Sequence, residues 1–247
     1  MAYVGAKLGV GVLCATFASL TWSCSSSSGS GGGSSSTPST TNVVTMQSFG
    51  EMHTGVATFY TTADGSGACL YDKDTSNTQI AALNVSDWAG SAWCGACVDI
   101  TGPMSNTIRV AIVDECPDCM PGQLDLHPGA FAELAPTSEG RIPITWTFVA
   151  CDVTGPVQYK YKDGSNPYWT AVQVRNTRYP ITKFESSPDG ATWVEAARQD
   201  YNYFLNASGF GSGPVHVRIT AESGEMLEDT LPAVQENAIS SGAAQFQ

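Results

Sequence analysis

The spacing of apolar residues predicts β-strands along most of the first half of the chain after residue 45. The segments TIRVAIVD and IPITWTFV alternate between apolar and other side chains with a period of two, which is the repeat of a half-buried strand. Only HPGAFAELA has a helical pattern, with Pro128 placed in the first turn. This half is therefore predicted to be a β domain with one short helix.

The second half shows the same alternation, interrupted by tight turns. TAVQVRN, ITKFESSPDGATWVEA and VHVRITAESGEMLEDT predict strands separated by Pro-Asp-Gly and Glu-Ser-Gly-Glu turns, which is typical of a β-sandwich. Trp193 is a stronger candidate for a core position than Tyr201. VTGPVQYKY is expected to be a short connection between the two halves. The chain is thus all-β, with domains predicted at residues 46–152 and 153–247.

The first 45 residues have a different composition. Residues 1–24 combine one positive charge, Lys7, with an apolar run, which is typical of an export signal, and residues 25–45 are a Ser/Gly-rich linker. Cys24, placed just before the linker, resembles the lipid-bearing cysteine of a bacterial lipoprotein. The alternative is an ordinary secretory peptide cleaved nearby. Both predict a protein outside the cytoplasm, with membrane contact only through a lipid anchor.

The net negative charge of the chain limits the kinds of polymer that it can bind. The chain has a formal net charge of −12, and residues 45–152 hold 13 acidic and 3 basic side chains. Such a surface repels nucleic acids and other polyanions. A neutral polymer is compatible with it.

Six cysteines follow the linker, and all of them lie in the first half. Two CxxC pairs separated by 18 residues fit the spacing of a zinc ribbon. Export and the even count instead favour disulfides, so neither a metal nor a cofactor is expected. The pairing that we favour is Cys69–Cys94, Cys97–Cys151 and Cys116–Cys119.

Asp114 and Asp125 enclose the loop that contains the second CxxC pair. Two carboxyl groups in one groove could cleave a glycosidic bond by acid and base catalysis. The competing interpretation is that both aspartates accept hydrogen bonds from turn backbone, as most loop aspartates do. Spacing alone favours this second interpretation.

Several motifs together resemble the expansin family. HTGVATFY, WCGACVDITGP, VAIVDECPDCMPGQLDLHPGAFAELA and GRIPITWTFVAC follow one another in the expansin order, and YKYKDGSNPYWTAVQVRNTRYPITKFE and DYNYF extend the likeness. The resemblance implies a six-stranded double-psi β-barrel, related to family-45 glycoside hydrolases, packed on an immunoglobulin-like carbohydrate-binding sandwich.

The resemblance also assigns groove residues. Asp125 matches the general acid of the related hydrolases, which expansins require, and Thr58 and Asp114 match other polar groove residues. The second catalytic carboxylate of the hydrolases is absent from HTGVATFY. Cys116 stands where several bacterial expansins have an aromatic residue, and Trp88 is a candidate to replace that ring. The alternative for Trp88 is a core position, which is the more frequent one for tryptophan in a β protein.

In the second half, three aromatic residues match the platform on which expansins lay a glucan chain: Tyr168, Trp169 and Tyr201. Neighbours on a regular strand point to opposite faces, so Tyr168 and Trp169 can share a ligand only where the strand starts irregularly. DGSNPYW provides such a start. Lys162 matches a lysine beside the platform that can hydrogen-bond glucan hydroxyl groups.

Three functions follow from these assignments. The first is a monomeric, non-hydrolytic protein that loosens plant cell walls and binds cellulose and related β-glucans, with xylan or peptidoglycan as further ligands. The second is a true endoglucanase or peptidoglycan lytic enzyme. The third is a carbohydrate-binding protein whose barrel is inert.

Overall fold

The computed structural model describes residues 49–247, which belong to one compact unit. The predicted export signal, the linker and Cys24 lie outside the described residues. Within residues 49–247, no helix has both the length and the apolar character needed to cross a membrane.

The first domain is a closed six-stranded barrel. Along the chain its strands are β1 (His53–Phe59), β2 (Ile80–Asn84), β3 (Cys97–Thr101), β4 (Thr107–Cys116), β5 (Leu124–Leu126) and β6 (Ile142–Val149). Around the barrel the order is β1-β5-β2-β4-β3-β6, and the β1–β5 and β2–β4 pairs are parallel. This is the double-psi barrel that the family resemblance implied. Closure leaves no unpaired strand edge.

The alternating segments form the barrel as predicted. TIRVAIVD lies in β4 and IPITWTFV is β6. The apolar face of β6 is buried, with Trp146 only 1% exposed. Two short helices flank the barrel, α1 (Val85–Trp88) and α2 (Pro128–Leu134), and a 3₁₀ turn covers Thr137–Glu139. Pro128 begins α2, and the side chain of His127 accepts a hydrogen bond from the Gly129 amide at 2.9 Å.

All six cysteines of the described chain form disulfides, and the favoured pairing is confirmed: Cys69–Cys94, Cys97–Cys151 and Cys116–Cys119. The zinc-ribbon alternative is wrong, because none of these sulfur atoms remains as a free thiolate. The long bridge joins cysteines 54 positions apart in the sequence, and the local bridge joins cysteines 3 positions apart. All three staple the barrel domain.

The second domain is a two-sheet sandwich. Its strands are β7 (Gln158–Tyr161), β8 (Thr170–Arg175), β9 (Ile181–Ser187), β10 (Val194–Glu195), β11 (Ala197–Gln199), β12 (Tyr203–Asn206), β13 (Val215–Ala221), β14 (Met226–Leu231) and β15 (Ile239–Ser241). One sheet has the order β10-β9-β13-β14 and the other β11-β12-β8-β7-β15. Apolar side chains from both sheets form one core, as an immunoglobulin-like sandwich requires.

Two expectations for this half need correction. VTGPVQYKY is not only a connection, because its last four residues form β7 and bury Tyr159 and Tyr161 in the sandwich core. Trp193 is not more buried than Tyr201, since both are partly exposed, and Trp193 stays outside the core because it precedes the short edge strand β10.

The barrel and the sandwich meet through a polar interface. The Asp72 carboxylate pairs with Lys160 at 2.6 Å and with Arg175 at 2.5 Å. The Cys69 carbonyl accepts hydrogen bonds from the side-chain amides of Gln173 at 2.8 Å and Asn202 at 3.2 Å. These contacts fix the sandwich against the barrel segment that carries the first disulfide.

Candidate functional site

The barrel brings three predicted polar residues to one outer surface. Parallel pairing makes Thr58 on β1 the register partner of Asp125 on β5. Ala82 on β2 is the register partner both of Asp125 and of Asp114 on β4. The small side chain of Ala82 therefore separates two carboxylates, whose Cα atoms lie about 10 Å apart at ordinary strand spacing. These residues form one polar surface of the barrel, which we call the groove floor after the groove that the family resemblance implies.

Asp125 lies at the centre of this floor and is half-buried. Its Oδ1 accepts a hydrogen bond of 2.5 Å from the hydroxyl of Thr58. Burial raises the pKa of Asp125, the Thr58 hydrogen bond opposes that rise, and the charge of Asp114 adds to it. Asp125 consequently keeps its proton to higher pH than an ordinary aspartate, which suits an acid or hydrogen-bond donor.

Asp114 is held by the backbone. Its Oδ1 accepts hydrogen bonds from the amides of Ala68 at 2.6 Å and Glu115 at 2.9 Å. Gly67 approaches so closely that a Cβ there would lie 2.6 Å from the Asp114 Cγ, and its φ of +50° also favours glycine. The expectation that this aspartate binds turn backbone is confirmed for Asp114, and for Asp125 it is wrong.

Two further groove residues escaped the sequence-based assignment. Gln123 is 6% exposed, and its side-chain amide donates to the Thr58 hydroxyl at 3.2 Å. Burial raises the pKa of Tyr60, and the charges of Asp114, Asp125 and Asp64 raise it further, so the phenol stays protonated beside the acids. The two-residue repeat of a strand could have predicted both residues, since it places Gln123 on the same face as Asp125 and Tyr60 on the same face as Thr58.

Trp88 does not replace the missing groove ring. It ends α1 and is 5% exposed, within the buried core of the barrel. Its assignment as a sugar-stacking residue was therefore wrong. The short helix turns this side chain inward, and no strand alternation in the sequence signals that turn. Cys116 is bonded to Cys119 and supplies no ring either.

The predicted irregular strand start at the aromatic pair is present. The amide of Asn166 donates to the Trp169 carbonyl at 2.8 Å, and the Asn166 side chain accepts from the Tyr168 amide at 3.0 Å. β8 begins only at Thr170, so the pair lies before the regular strand. Tyr168 is 82% exposed and Trp169 is partly exposed.

Tyr201 and Lys162 also lie together. The Lys162 ammonium is 5.8 Å from the centroid of the Tyr201 ring, a cation–π distance. Lys162 directly follows β7, and its amide donates to the Ala171 carbonyl of β8 at 2.9 Å. An aromatic ring beside an ammonium donor is suited to a sugar, since the ring stacks on the apolar face while the donor meets hydroxyl groups.

One barrel loop contacts both the groove and the sandwich. Ala68 donates to Asp114 at the groove floor, and Asp72 pairs with Lys160 on β7. Alternate residues of a strand share a face, so the side chain of Lys160 points to the same side of the sheet as that of Lys162. The loop therefore couples the position of the groove to the sheet that carries the aromatic residues.

Comparison with known proteins places this architecture in a family. No protein-family model matches the chain. Expansin-YoaJ of Bacillus subtilis (strain 168) is 34% identical over 197 residues, covering 78% of this chain and 84% of the relative. The chain belongs to the expansin family. Expansin-like protein 5 of Dictyostelium discoideum is 32% identical over 201 residues, covering 77% of the chain and 83% of that relative.

Solved expansin structures agree with the fold described above. The apo expansin of Clavibacter michiganensis has a TM-score of 0.73 at 30% identity, covering 80% of this chain and 98% of that one. A point mutant of the same expansin, solved in complex with cellohexaose, has a TM-score of 0.74 at 29% identity and the same coverages. The barrel and sandwich of this expansin thus recur together in a bacterial relative.

Proposed function

We propose that this expansin binds cellulose and related β-glucans and loosens plant cell walls without hydrolysing them. A relative solved with cellohexaose supports a glucan ligand. The observation that carries the non-hydrolytic mechanism is the composition of HTGVATFY, the segment that contains β1, which has no carboxylate to act as a second catalytic group with Asp125. The role proposed for Asp125, with Thr58 and Asp114 beside it, is to hydrogen-bond or protonate a glycosidic oxygen.

Hydrolysis needs more than this acid. A base or nucleophile must act from the opposite side of the sugar ring. Asp114 lies on the same floor as Asp125, and its Oδ1 is already occupied by two backbone amides. Asp64 bonds to Ser66 and pairs with Lys73 at 2.7 Å, and these contacts lower its pKa to about 2. Such an acidic group is a weak base. The groove therefore grips and displaces a glucan strand.

The proposed anchor is the aromatic platform of Tyr168, Trp169 and Tyr201, with Lys162 at its side. Its ligand is neutral, because a formal net charge of −12 disfavours anionic polysaccharides. Xylan and peptidoglycan are the further ligands to compare with cellulose. The protein acts as a monomer and needs no cofactor.

The decisive experiment compares Asp125→Asn with Asp118→Asn, which removes the same charge at an exposed position in the neighbouring loop. Creep of a stretched wall or paper strip is measured together with reducing-sugar release and cellulose binding. We expect Asp125→Asn to abolish creep and retain binding, whereas Asp118→Asn behaves like the parent. Release of soluble sugars by the parent at enzyme-like rates, or full creep with Asp125→Asn, would overturn the proposal.

The proposed location is outside the cell. The three disulfides support it, since they persist in oxidising compartments. Residues 1–24 act as an export signal, and Cys24 carries a lipid that holds the protein at the bacterial surface through the linker. Mass spectrometry of the mature N-terminus tests this: a diacylglyceryl-modified Cys24 is expected, and an unmodified terminus would indicate ordinary secretion.

A further inference from the structure

The sandwich has a concave surface on the sheet that does not carry the proposed aromatic platform. A cavity of about 370 Å³ opens there, with Trp193, His216, Glu228 and Thr230 in its lining. That volume is at the lower end of the range for small-molecule sites in proteins. We call this surface the Trp193 pocket.

The floor of the Trp193 pocket follows from strand alternation. Val215 and Val217 of β13 point into the core, being 1% and 0% exposed, so His216 between them points outward. Its cross-strand partner on β14 is Thr230, and the Thr230 hydroxyl lies 3.2 Å from the His216 Nδ1. A hydroxyl and an imidazole thus form a polar floor able both to donate and to accept hydrogen bonds.

A fixed turn supplies the wall. Between β9 and β10, the Asp189 carboxylate accepts hydrogen bonds from the amides of Ala191 at 2.9 Å and Thr192 at 2.8 Å, and from the Ser187 hydroxyl at 2.8 Å. These bonds lower the pKa of Asp189, which therefore stays ionised and keeps the turn closed. Trp193 leaves this turn in a defined position.

An arginine holds the Trp193 ring from one side. The Arg218 guanidinium lies 4.3 Å from the centroid of the Trp193 ring. Arg218 is in turn fixed by two hydrogen bonds to Glu185, of 2.8 and 2.9 Å. A partly exposed indole that is held in this way loses little side-chain entropy when a ligand stacks on it.

We infer that the Trp193 pocket is a second glycan-binding site, which takes a sugar unit of a neutral β-glucan independently of the platform. An indole wall stacks on the apolar face of a pyranose, and the His216–Thr230 floor meets its hydroxyl groups. Glu228 beside them accepts hydroxyl hydrogen bonds and repels uronic acids. The choice of β-glucan as the ligand rests on the proposed function, whereas the site itself rests on this geometry.

The test observes the indole N–H of each tryptophan by ¹⁵N-NMR while cellohexaose is added, with the Trp193 signal assigned by its loss in Trp193→Phe. It is run on the parent and on a platform-free variant, Tyr168→Ala/Trp169→Ala/Tyr201→Ala. We expect a saturable shift of the Trp193 signal in both proteins, with the same midpoint. His216→Ala/Thr230→Ala should raise that midpoint at least fivefold, while the signal dispersion reports that the fold is kept.

Val194→Ala is the matched control, because this neighbouring side chain is 51% exposed and outside the pocket lining. Its midpoint should equal that of the parent. A Trp193 signal that does not shift, or that shifts only when the platform is intact, overturns the inference. The Trp169 signal of the parent reports on the platform separately, so failure of the proposed cellulose binding and failure of the Trp193 pocket give different spectra.

Discussion

The barrel and the sandwich offer a polysaccharide two opposite kinds of surface. The barrel floor is a set of polar groups that are half-buried and bonded to one another, as in the 2.5 Å contact between Thr58 and Asp125. The platform proposed on the sandwich is aromatic, with Tyr168 82% exposed and Trp169 and Tyr201 partly exposed. A polar floor can act on one oxygen of a chain, whereas exposed rings can only hold the chain.

The two domains are also stabilised differently. All three disulfides lie in the barrel domain, and the strands of the sandwich, β7 to β15, contain none. Asp114 and Asp125 sit in a stapled frame, where a small displacement would break their geometry. Stacking on a ring tolerates more movement, so packing of the sandwich core is sufficient there. The difference indicates that the barrel must hold its polar side chains in a fixed geometry, whereas the sandwich must present a large aromatic surface.

The largest expected effect comes from removing the long bridge. Cys97→Ala/Cys151→Ala should lower the free energy of unfolding by roughly 4 kcal/mol, because the bridge joins residues 54 positions apart. Cys116→Ala/Cys119→Ala, across 3 residues, should cost about 2 kcal/mol. Denaturant unfolding measures both values. Equal losses of unfolding free energy in the two variants would show that loop closure is not how these disulfides stabilise the barrel.

Removing the platform should change binding and leave the barrel folded. Each stacked ring contributes about 1 kcal/mol, so changing Tyr168, Trp169 and Tyr201 to alanine should weaken cellulose binding on the order of 100-fold. Depletion of protein onto cellulose gives the affinity. The control is Ile239→Ala, which removes an exposed apolar side chain outside the proposed platform, 51% exposed on β15. If the platform variant binds cellulose as tightly as this control does, the cellulose-binding surface is not the platform.

Asp125→Asn should reveal the buried acid as a pH-dependent stability difference. The raised pKa means that the folded state favours protonated Asp125, so this contribution is complete below the ordinary pKa near 3.9 and is lost as pH rises through the raised pKa. Asparagine never ionises, so the variant should be more stable than the parent at pH 7.

That gain should disappear near pH 3, where the parent is protonated as well. Denaturant unfolding at both pH values measures the difference, and Asp118→Asn, which is exposed, should show neither the gain nor its loss. A gain of the same size at pH 3 would mean that something other than ionisation of Asp125 causes it.

The smallest effect should be that of salt. If stacking holds the glucan, cellulose affinity should change by less than about twofold between roughly 0.05 and 0.5 M NaCl, because screening acts only on charges. Retention on pectin should be weak at both concentrations, since the chain carries a net charge of −12. Tight pectin binding that falls with salt would contradict a neutral ligand.

Much of this protein could be predicted from the sequence because the decisive signals are local. Period-two alternation identified β4 and β6, and Pro128 marked the start of α2. The turn residues in DGSNPYW indicated the irregular backbone before β8, since asparagine and glycine accept such conformations. Whether a strand is half-buried, or a helix starts, depends on neighbours a few residues away.

The groove was decided by tertiary structure. Thr58 reaches Asp125 across 67 residues only because β1 and β5 are parallel neighbours, and a strand's alternation does not indicate which distant strand it pairs with. Family resemblance, not periodicity, brought these two residues together beforehand. The burial of Trp88 and Trp193 was likewise not predictable from the sequence pattern. A short helix turns Trp88 into the core, and Trp193 lies at a sheet edge. Side-chain exposure depends on which elements pack over a residue, and that packing is a property of the whole fold.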